Sequence, residues 1–293
     1  MTVSSRNDNC KVVRFREDIP LLAPETFELA SRECGNCRDM HSLWPYIRLA
    51  RASQGIEMEG SRLEPLMARL FESGRRKLLI AGAQDTGLFA LAARVGEKYG
   101  VEVVVLDRCN TPLEMCRRLA SRSAIRVETI RQDLRDLVMP DRFDVVLLHH
   151  TLQFVAADEQ IDVLSRLARS LRQNGRLVHL FNVSRPLSGE FAIEHRNKYA
   201  DWVIDELDRL TVPLPERGDA FRARLTAHAK NRERHTGGFA NPKEVDGLMQ
   251  AAGLAIESGT RIEPDLTPPY RKFLSKLDMQ RFVKVARRGC KAK

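Results

Sequence analysis

Short apolar runs alternate with longer amphipathic segments between about residue 77 and residue 183. The apolar runs are about four to eight residues long, rich in Val, Ile and Leu, and bounded by turn residues, which is typical of buried strands. The segments between them have apolar residues at helical spacing. Strands that alternate with helices predict βαβ units and a doubly wound, mostly parallel α/β sheet with helices on both faces.

The chain on either side of this region has a different pattern. Residues 1–76 look helical after a polar start, and Pro24 is expected to open a helix because proline suits a first turn. Residues 184 to about 240 are polar and rich in charge, which predicts a helical insertion. We therefore expect an N-terminal helical cap over 1–76 and a sheet domain over 77–293 that contains this insertion.

Three further elements are predicted near the end of the chain. Asn241-Pro242 starts a helix that ends near Gly253, with Pro in the first turn and Gly at the end. Two strand-like runs follow, at Leu254–Arg261 and at Phe282–Arg287. Together with the five earlier runs, they predict a seven-stranded sheet.

Composition and charge restrict the class of protein. The chain has 293 residues, is 43% hydrophobic and has a net charge of +9. Residues 184–293 carry 21 basic and 15 acidic side chains, and Arg281, Lys284, Arg287 and Arg288 follow the last acid, Asp278. We interpret these side chains as a solvated basic end and do not expect a nucleic-acid partner, because charge alone is weak evidence for one.

Apolar stretches and cysteine content predict the cellular compartment. No apolar stretch is long enough for a membrane span, and the start of the chain lacks the apolar core of a secretory signal. Six cysteines are too few for a disulfide scaffold, so we expect thiols in a reducing cytoplasm. The sequence leaves a homodimer open.

Candidate chemistry lies at the carboxyl ends of the predicted strands, where open α/β sheets bind ligands. The first strand ends at Gly82, and a glycine there lets the backbone approach a ligand. The second ends at Asp107, where an acid can accept both hydroxyls of a ribose. Asp133, an acid suited to an adenine amine, follows the third strand, and His149-His150 ends the fourth.

This ordered set resembles the class I S-adenosylmethionine-dependent methyltransferases, which have a Rossmann-like fold. The resemblance implies an antiparallel terminal hairpin, S-adenosylmethionine as the cofactor and methyl transfer to O or N of a small metabolite. It implies that Gly82 lies under the methionine part of the cofactor, that Asp107 holds the ribose, that Asp133 holds the adenine amine, and that Leu134 lies against the ring. The full set of implied cofactor residues is Gly82, Ala83, Gln84, Asp107, Arg108, Asp133, Leu134 and His149.

The sequence departs from the family at the methionine end. Ile80 stands where the family has an acid, and Gln84 where it has a second glycine. A nicotinamide-binding Rossmann domain, an enzyme that attacks the aminocarboxypropyl arm (for example cyclising it to azetidine-2-carboxylate and releasing methylthioadenosine) and a non-catalytic S-adenosylmethionine-binding protein therefore stay open.

Acceptor-side residues are expected in the N-terminal helices and the insertion, because the sheet does not need them. Candidate substrate contacts are Trp44, Tyr46, Tyr199 and Trp202. His149, His150 and His195 are candidate catalytic bases, since a histidine titrates near neutral pH.

Cys34 and Cys37 have metal-ligand spacing and are followed by His41. Cys10 would be a fourth ligand, but a second ligand pair at knuckle spacing is missing, and Cys109 and Cys116 are interpreted as ordinary buried thiols. We therefore expect no metal, although the sequence does not exclude one at this cluster.

Overall fold

The computed structural model describes residues 15–52, 55–56, 59–123, 126–184, 189–235, 238–263 and 279–289. The described helices are α1 (Phe15–Glu33), α2 (Arg38–Leu49), α3 (Gly60–Glu72), α4 (Gly87–Gly96), α5 (Asn110–Ser123), α6 (Gln160–Ser170), α7 (Gly189–Arg209), α8 (Gly218–His235) and α9 (Pro242–Ala251). The described strands are β1 (Lys77–Ala81), β2 (Glu102–Asp107), β3 (Val127–Arg131), β4 (Phe143–His149), β5 (Leu171–Ser184), β6 (Leu254–Ile262) and β7 (Met279–Arg288).

The strands form one seven-stranded sheet in the order β3-β2-β1-β4-β5-β7-β6. β1 to β5 pair in parallel, and β7 runs antiparallel to both β5 and β6. The doubly wound fold and its terminal antiparallel hairpin are therefore confirmed, with β6 one residue and β7 four residues longer than predicted.

Two hydrophobic cores cover the faces of the sheet. Leu78 and Ile80 of β1 pack into a core with residues of α3, α4 and α5, whereas Leu79 and Ala81 pack into a second core with α6 and α9. Because successive side chains of a strand point to opposite faces, a strand buried on both sides is apolar throughout. This accounts for the continuous apolar runs in the sequence.

A third core joins the N-terminal helices to the insertion. Tyr46 of α2 is fully buried against Phe221 of α8, with ring centroids 5.5 Å apart in an edge-to-face arrangement. Val203 and Leu207 of α7 complete this core with Ile47 of α2. α2, α7 and α8 thus form one helical layer, while the division of the chain into a cap and a sheet domain stays a prediction.

The expectation that Pro24 opens a helix is wrong. α1 begins at Phe15, and Pro24 lies at its middle. Ile19 and Leu22, upstream of the proline, are buried, and the hydroxyl of Thr26 donates a hydrogen bond to the Leu22 carbonyl. Packing of this upstream turn outweighs the local preference of proline for a first turn. By contrast, the predicted start of α9 is confirmed, because the Asn241 side chain accepts from the N–H groups of Lys243 and Glu244.

The basic side chains of β7 are not the solvated group that their sequence suggests. Arg281 is 3% exposed and pairs with Glu59, and Lys284 bonds to Asp246 at 2.5 Å. Arg288 bonds to Asp141 at 2.6 Å, and Arg287 lies 3.5 Å from Glu257. The partner acids come from elements that are distant in sequence, so a count of charges near β7 does not include them. Among the described helices, none is long and apolar enough to cross a bilayer.

Candidate functional site

Gly82 turns the chain sharply after β1. Its φ is +84°, and a Cβ at this position would lie 2.4 Å from Cγ2 of Thr151, which follows β4. Both the left-handed backbone and the close approach of Thr151 exclude a side chain here. The Gly82 N–H also donates to the carbonyl of Leu106 on β2 at 2.8 Å. Gly82 therefore fixes the loop against the ends of both neighbouring strands.

Asp107, at the end of β2, holds two backbone segments with one carboxylate. Its Oδ2 accepts from the N–H of Ala83 at 2.9 Å, and its Oδ1 accepts from the N–H of Cys109 at 2.7 Å. Burial raises the pKa of Asp107 even though these hydrogen bonds lower it. The carboxylate thus sets the position of the loop after β1 relative to the start of α5.

Asp133 follows β3 and starts a short 3-10 turn over Leu134–Asp136. Its carboxylate accepts from the backbone N–H of Arg135 at 3.0 Å and from the Arg135 side chain, which lowers the pKa of Asp133. Leu134 is 7% exposed, while Arg108, after β2, is exposed. Asp107 and Asp133 therefore end adjacent strands, with Leu134 as the apolar neighbour of the second acid.

The loop after Gly82, which departs from the family in its residues, is held by side-chain contacts to α2. Asp85 pairs with Arg48 of α2 at 2.5 Å and accepts from the N–H of Gly87 at 2.8 Å, where α4 begins. The Gln84 side-chain amide lies 3.0 Å from Sδ of Met40. Since Arg48 already neutralises Asp85, this acid is not a free partner for a ligand ammonium group.

A small cavity of about 20 Å³ lies behind this loop. It is bordered by α1 and α2 on one side and by the loop before α4 and the start of α5 on the other. The lining includes Ile19, Thr26, Arg48, Gln84, Asp85 and Met115. The N-terminal helices thus contribute directly to the surroundings of the loop.

A buried carboxylate organises the end of β4. Glu59, which immediately precedes α3, is fully buried and accepts from Nε2 of His149 at 2.5 Å, from Nε2 of His150 at 2.8 Å and from Arg281. Although burial opposes it, the Arg281 charge holds the pKa of Glu59 well below its usual range. Burial lowers the pKa of His150 to about 4, so His150 is neutral at pH 7.

The sequence reasoning missed Glu59 and Arg281. They are 222 positions apart, in the N-terminal region and on the last strand. An acid in a polar stretch and an Arg in a basic strand carry no local sign of pairing, so only the fold could identify them. His149 and His150 were found because they end a predicted strand.

The predicted substrate residues lie mainly in the helical layer. Trp44, Tyr46 and Tyr199 are buried in its core, and the indole N–H of Trp202 donates to the carbonyl of Ala50 at 3.1 Å. Packing accounts for these positions, and substrate contact stays a prediction. His195 belongs to α7, but its side chain lies outside the described residues.

Cys34, Cys37 and His41 come together with Cys109, which the sequence reasoning had treated as an ordinary buried thiol. One ligand atom of each lies within 4.8 Å of the other three. Cys10, the fourth ligand considered from the sequence, lies outside the described residues.

The donor set at the strand ends fits S-adenosylmethionine. Asp107 offers a carboxylate of the kind that accepts ribose hydroxyls, Asp133 offers an acceptor of the kind that an adenine amine needs, and Gly82 has no side chain to keep a ligand from the backbone. The methionine end fits less closely, since Ile80 is buried in the core and Asp85 is paired with Arg48. The individual residue roles stay predictions.

Comparison with known proteins agrees with this fit. Residues 81–179, from the end of β1 into β5, match the family model of a methyltransferase domain. The carboxy-S-adenosyl-L-methionine synthase of Pasteurella multocida is 30% identical over 137 residues, which are 46% of this chain and 53% of the relative. The synthase of Glaesserella parasuis is 31% identical over 98 residues, 33% of this chain and 40% of the relative. The chain thus spans about half the length of these relatives or less.

Among solved structures, the 1,6-didemethyltoxoflavin-N1-methyltransferase of Burkholderia thailandensis has a TM-score of 0.49 and 16% identity. The match covers 99% of this chain and 93% of that one. Residues 81–179 of this chain therefore match a methyltransferase domain, and they lie within a sheet whose strand order is β3-β2-β1-β4-β5-β7-β6.

Proposed function

We propose that the protein transfers the methyl group of S-adenosylmethionine to an oxygen or nitrogen of a small metabolite. The carboxylates of Asp107 and Asp133, at the ends of adjacent strands, support binding of the nucleoside half of the cofactor. Gly82 supports a close approach of its methionine half. In this assignment Ala83, Gln84, Arg108, Leu134 and His149 complete the cofactor surroundings.

One observation carries the choice of a small acceptor: the chain's own helices contact the loop after β1. Arg48 of α2 bonds to Asp85 at 2.5 Å, and Nδ1 of His41 lies 3.2 Å from the Gln84 carbonyl. α7 and α8 of the insertion pack on α2 in turn. Helices packed against the loop restrict access to the site. A small acceptor can enter such a site, whereas a polymer would have to lie across the edge of the sheet.

Methyl transfer is an in-line displacement at the sulfonium carbon, so alignment of the acceptor supplies much of the rate. A base is useful when the acceptor must lose a proton. His149 is suited to this task because it ends β4 and its Nε2 bonds to the carboxylate of Glu59, leaving its other ring nitrogen for an acceptor. Glu59 is then a positioning residue, and His150 is a neutral neighbour with no role in proton transfer.

A second candidate is supported by the relatives and by the methionine end of the site. The relatives are named for synthesis of a carboxylated S-adenosylmethionine, which makes the cofactor itself the substrate. Ile80 and the paired Asp85 also leave open an attack on the aminocarboxypropyl arm. Both alternatives use the same nucleoside site and differ in the product.

Free thiols at Cys34, Cys37, Cys109 and Cys116 support a reducing, cytoplasmic setting. Within the proposal, residues 1–76 act as a helical cap on the domain over 77–293, whose insertion at about 184–240 completes the cover.

The test is to identify the nucleoside products by mass spectrometry. The purified protein is incubated with S-adenosylmethionine alone and then with a small-molecule cell extract. S-adenosylhomocysteine that forms only with extract is the expected result. Methylthioadenosine formed without extract would show that the enzyme attacks the aminocarboxypropyl arm and does not transfer the methyl group. A carboxylated S-adenosylmethionine would show that it catalyses the reaction for which the relatives are named. Tight cofactor binding with no product in either incubation would indicate a binding protein.

A further inference from the structure

Four potential metal ligands come together beside the loop after β1. Cys34 follows α1, Cys37 immediately precedes α2, and His41 lies in the first turn of α2. Cys109 arrives from the other side, immediately before α5. One ligand atom from each of these residues lies within 4.8 Å of all the others. Three thiols and one imidazole thus converge on a single point from two distant parts of the chain.

This set is the donor chemistry of a structural zinc site. Zn²⁺ in such sites is held tetrahedrally by four Cys or His ligands, with Zn–S bonds of about 2.3 Å, so that two sulfurs lie roughly 3.8 Å apart. The sulfurs of Cys34 and Cys109, both free thiols, are 3.3 Å apart, so a small outward movement of these side chains brings both to bonding distance from one ion. The Cys-x2-Cys turn and the histidine four residues later also have the spacing that brings ligands to one side of a helix start.

The surroundings orient the ligands as outer partners do in metal sites. Nδ1 of His41 lies 3.2 Å from the Gln84 carbonyl and can only donate to it, which leaves Nε2 as the ligating atom. The Thr111 hydroxyl lies 3.0 Å from Sγ of Cys34, and the Asp107 carboxylate holds the backbone N–H of Cys109 at 2.7 Å. Each of these contacts fixes one ligand independently of a metal.

The helix positions favour thiolates at two of the three cysteines. Cys37 and Cys109 stand at the N-terminal ends of α2 and α5, where the helix dipole stabilises negative charge. A thiolate is the form in which cysteine binds metal.

We propose that Cys34, Cys37, His41 and Cys109 bind one Zn²⁺ ion in a closed tetrahedral site. On binding, any thiol that is still protonated and the His41 imidazolium release their protons to solvent, and His41 binds as the neutral imidazole; no oxidation state changes. The ion ties the start of α2 to the start of α5. Because His41 also bonds to Gln84, and Asp107 bonds to Cys109, the site stabilises the loop after β1 and the end of β2 together.

The direct test is the metal content of the full chain, purified without chelator or an affinity tag that binds metal. Mass spectrometry of the elements is expected to find one zinc per chain. Replacement by Co²⁺ is expected to give the intense visible bands of a tetrahedral, thiolate-ligated ion. Neither readout depends on transferase activity. The zinc proposal can therefore be refuted without refuting the methyl-transfer proposal, and the methyl-transfer proposal can be refuted without refuting the zinc proposal.

Variants then identify the ligands. Cys37→Ser and Cys109→Ser are expected to lose zinc, whereas Cys116→Ala, at a buried free cysteine outside the cluster, is expected to keep one zinc per chain. If a ligand variant does not fold, the cobalt spectrum of the unaltered chain still shows whether a tetrahedral thiolate site exists. A chain that holds no zinc and gives no tetrahedral cobalt bands after reduction would overturn the proposal. So would full zinc retention by Cys109→Ser, or a disulfide between Cys34 and Cys109 in the chain as purified.

Discussion

The carboxylate of Asp107 accepts a hydrogen bond from the backbone N–H of Ala83 at 2.9 Å. This bond joins the acid at the end of β2 to the loop after β1, the two segments on which the proposed cofactor site depends. The other oxygen of the same carboxylate holds Cys109 at the start of α5. One side chain therefore links the predicted ribose site, the glycine loop and the proposed zinc site.

Asp107→Asn is expected to weaken S-adenosylmethionine binding by about 10- to 100-fold, because hydrogen bonds to a charged group contribute about 1.5–3 kcal/mol. The amide also replaces one of the two acceptor oxygens by a donor. Isothermal titration with S-adenosylmethionine measures the change. Asp136→Asn, at an exposed acid of the neighbouring strand end, is the matched control and should bind as the unaltered chain does. Equal affinity of Asp107→Asn and the control would remove Asp107 from the site.

Gly82→Ala is expected to destabilise the fold by at least about 2 kcal/mol, since the left-handed conformation alone costs roughly 1–2 kcal/mol and the new Cβ would press on Thr151. Urea unfolding measures this free energy. Gly247→Ala lies in α9 with open space around the new Cβ, and should gain about 0.5–1 kcal/mol instead. If both substitutions changed stability equally, Gly82 would have no special conformational role.

Glu59→Gln is expected to cost about 3–5 kcal/mol at pH 7, because it leaves the Arg281 guanidinium buried without its carboxylate. The free energy of unfolding in urea is again the measurement. Glu102→Gln removes an exposed acid 3.6 Å from Lys77 and should cost less than about 1 kcal/mol. A cost for Glu59→Gln as small as this control would show that the buried cluster contributes little to stability.

The positions of the strand ends could be predicted from the sequence, whereas contacts between residues distant in sequence could not. Strand ends can be located from apolar runs, so Gly82, Asp107, Asp133 and His149 were found without a structure. Glu59 and Arg281 pair across 222 positions, and Cys109 joins Cys34 across 75, so no local pattern indicates either contact. Pro24 was misplaced because tertiary burial of Ile19 and Leu22 decides where α1 begins.

Stability is expected to fall as the pH drops from 7 toward 4. Burial lowers the pKa of His150 to about 4 and that of His179 to about 3, whereas both titrate near 6.5 when unfolded. The unfolded chain therefore takes up these protons first, and the stabilisation present above pH 6.5 is lost as the pH falls toward the folded values. Urea unfolding between pH 7 and pH 4.5 measures this slope.

His179→Leu separates the contribution of one of these histidines. Its ring is fully buried beside Phe181 and Phe239, and neither ring nitrogen has a hydrogen-bond partner among the described residues. The variant should lose part of the pH dependence and be more stable at pH 5 than the unaltered chain. An unchanged slope would show that His179 keeps its solution pKa in the folded protein.

The most direct test of the account is a crystal structure of the protein with S-adenosylhomocysteine. The account predicts the ribose hydroxyls within hydrogen-bond distance of Asp107, the adenine amine beside Asp133 and the amino acid arm over Gly82. Density for the nucleoside anywhere other than over the carboxyl ends of β1, β2 and β3 would contradict the assignment of the cofactor site.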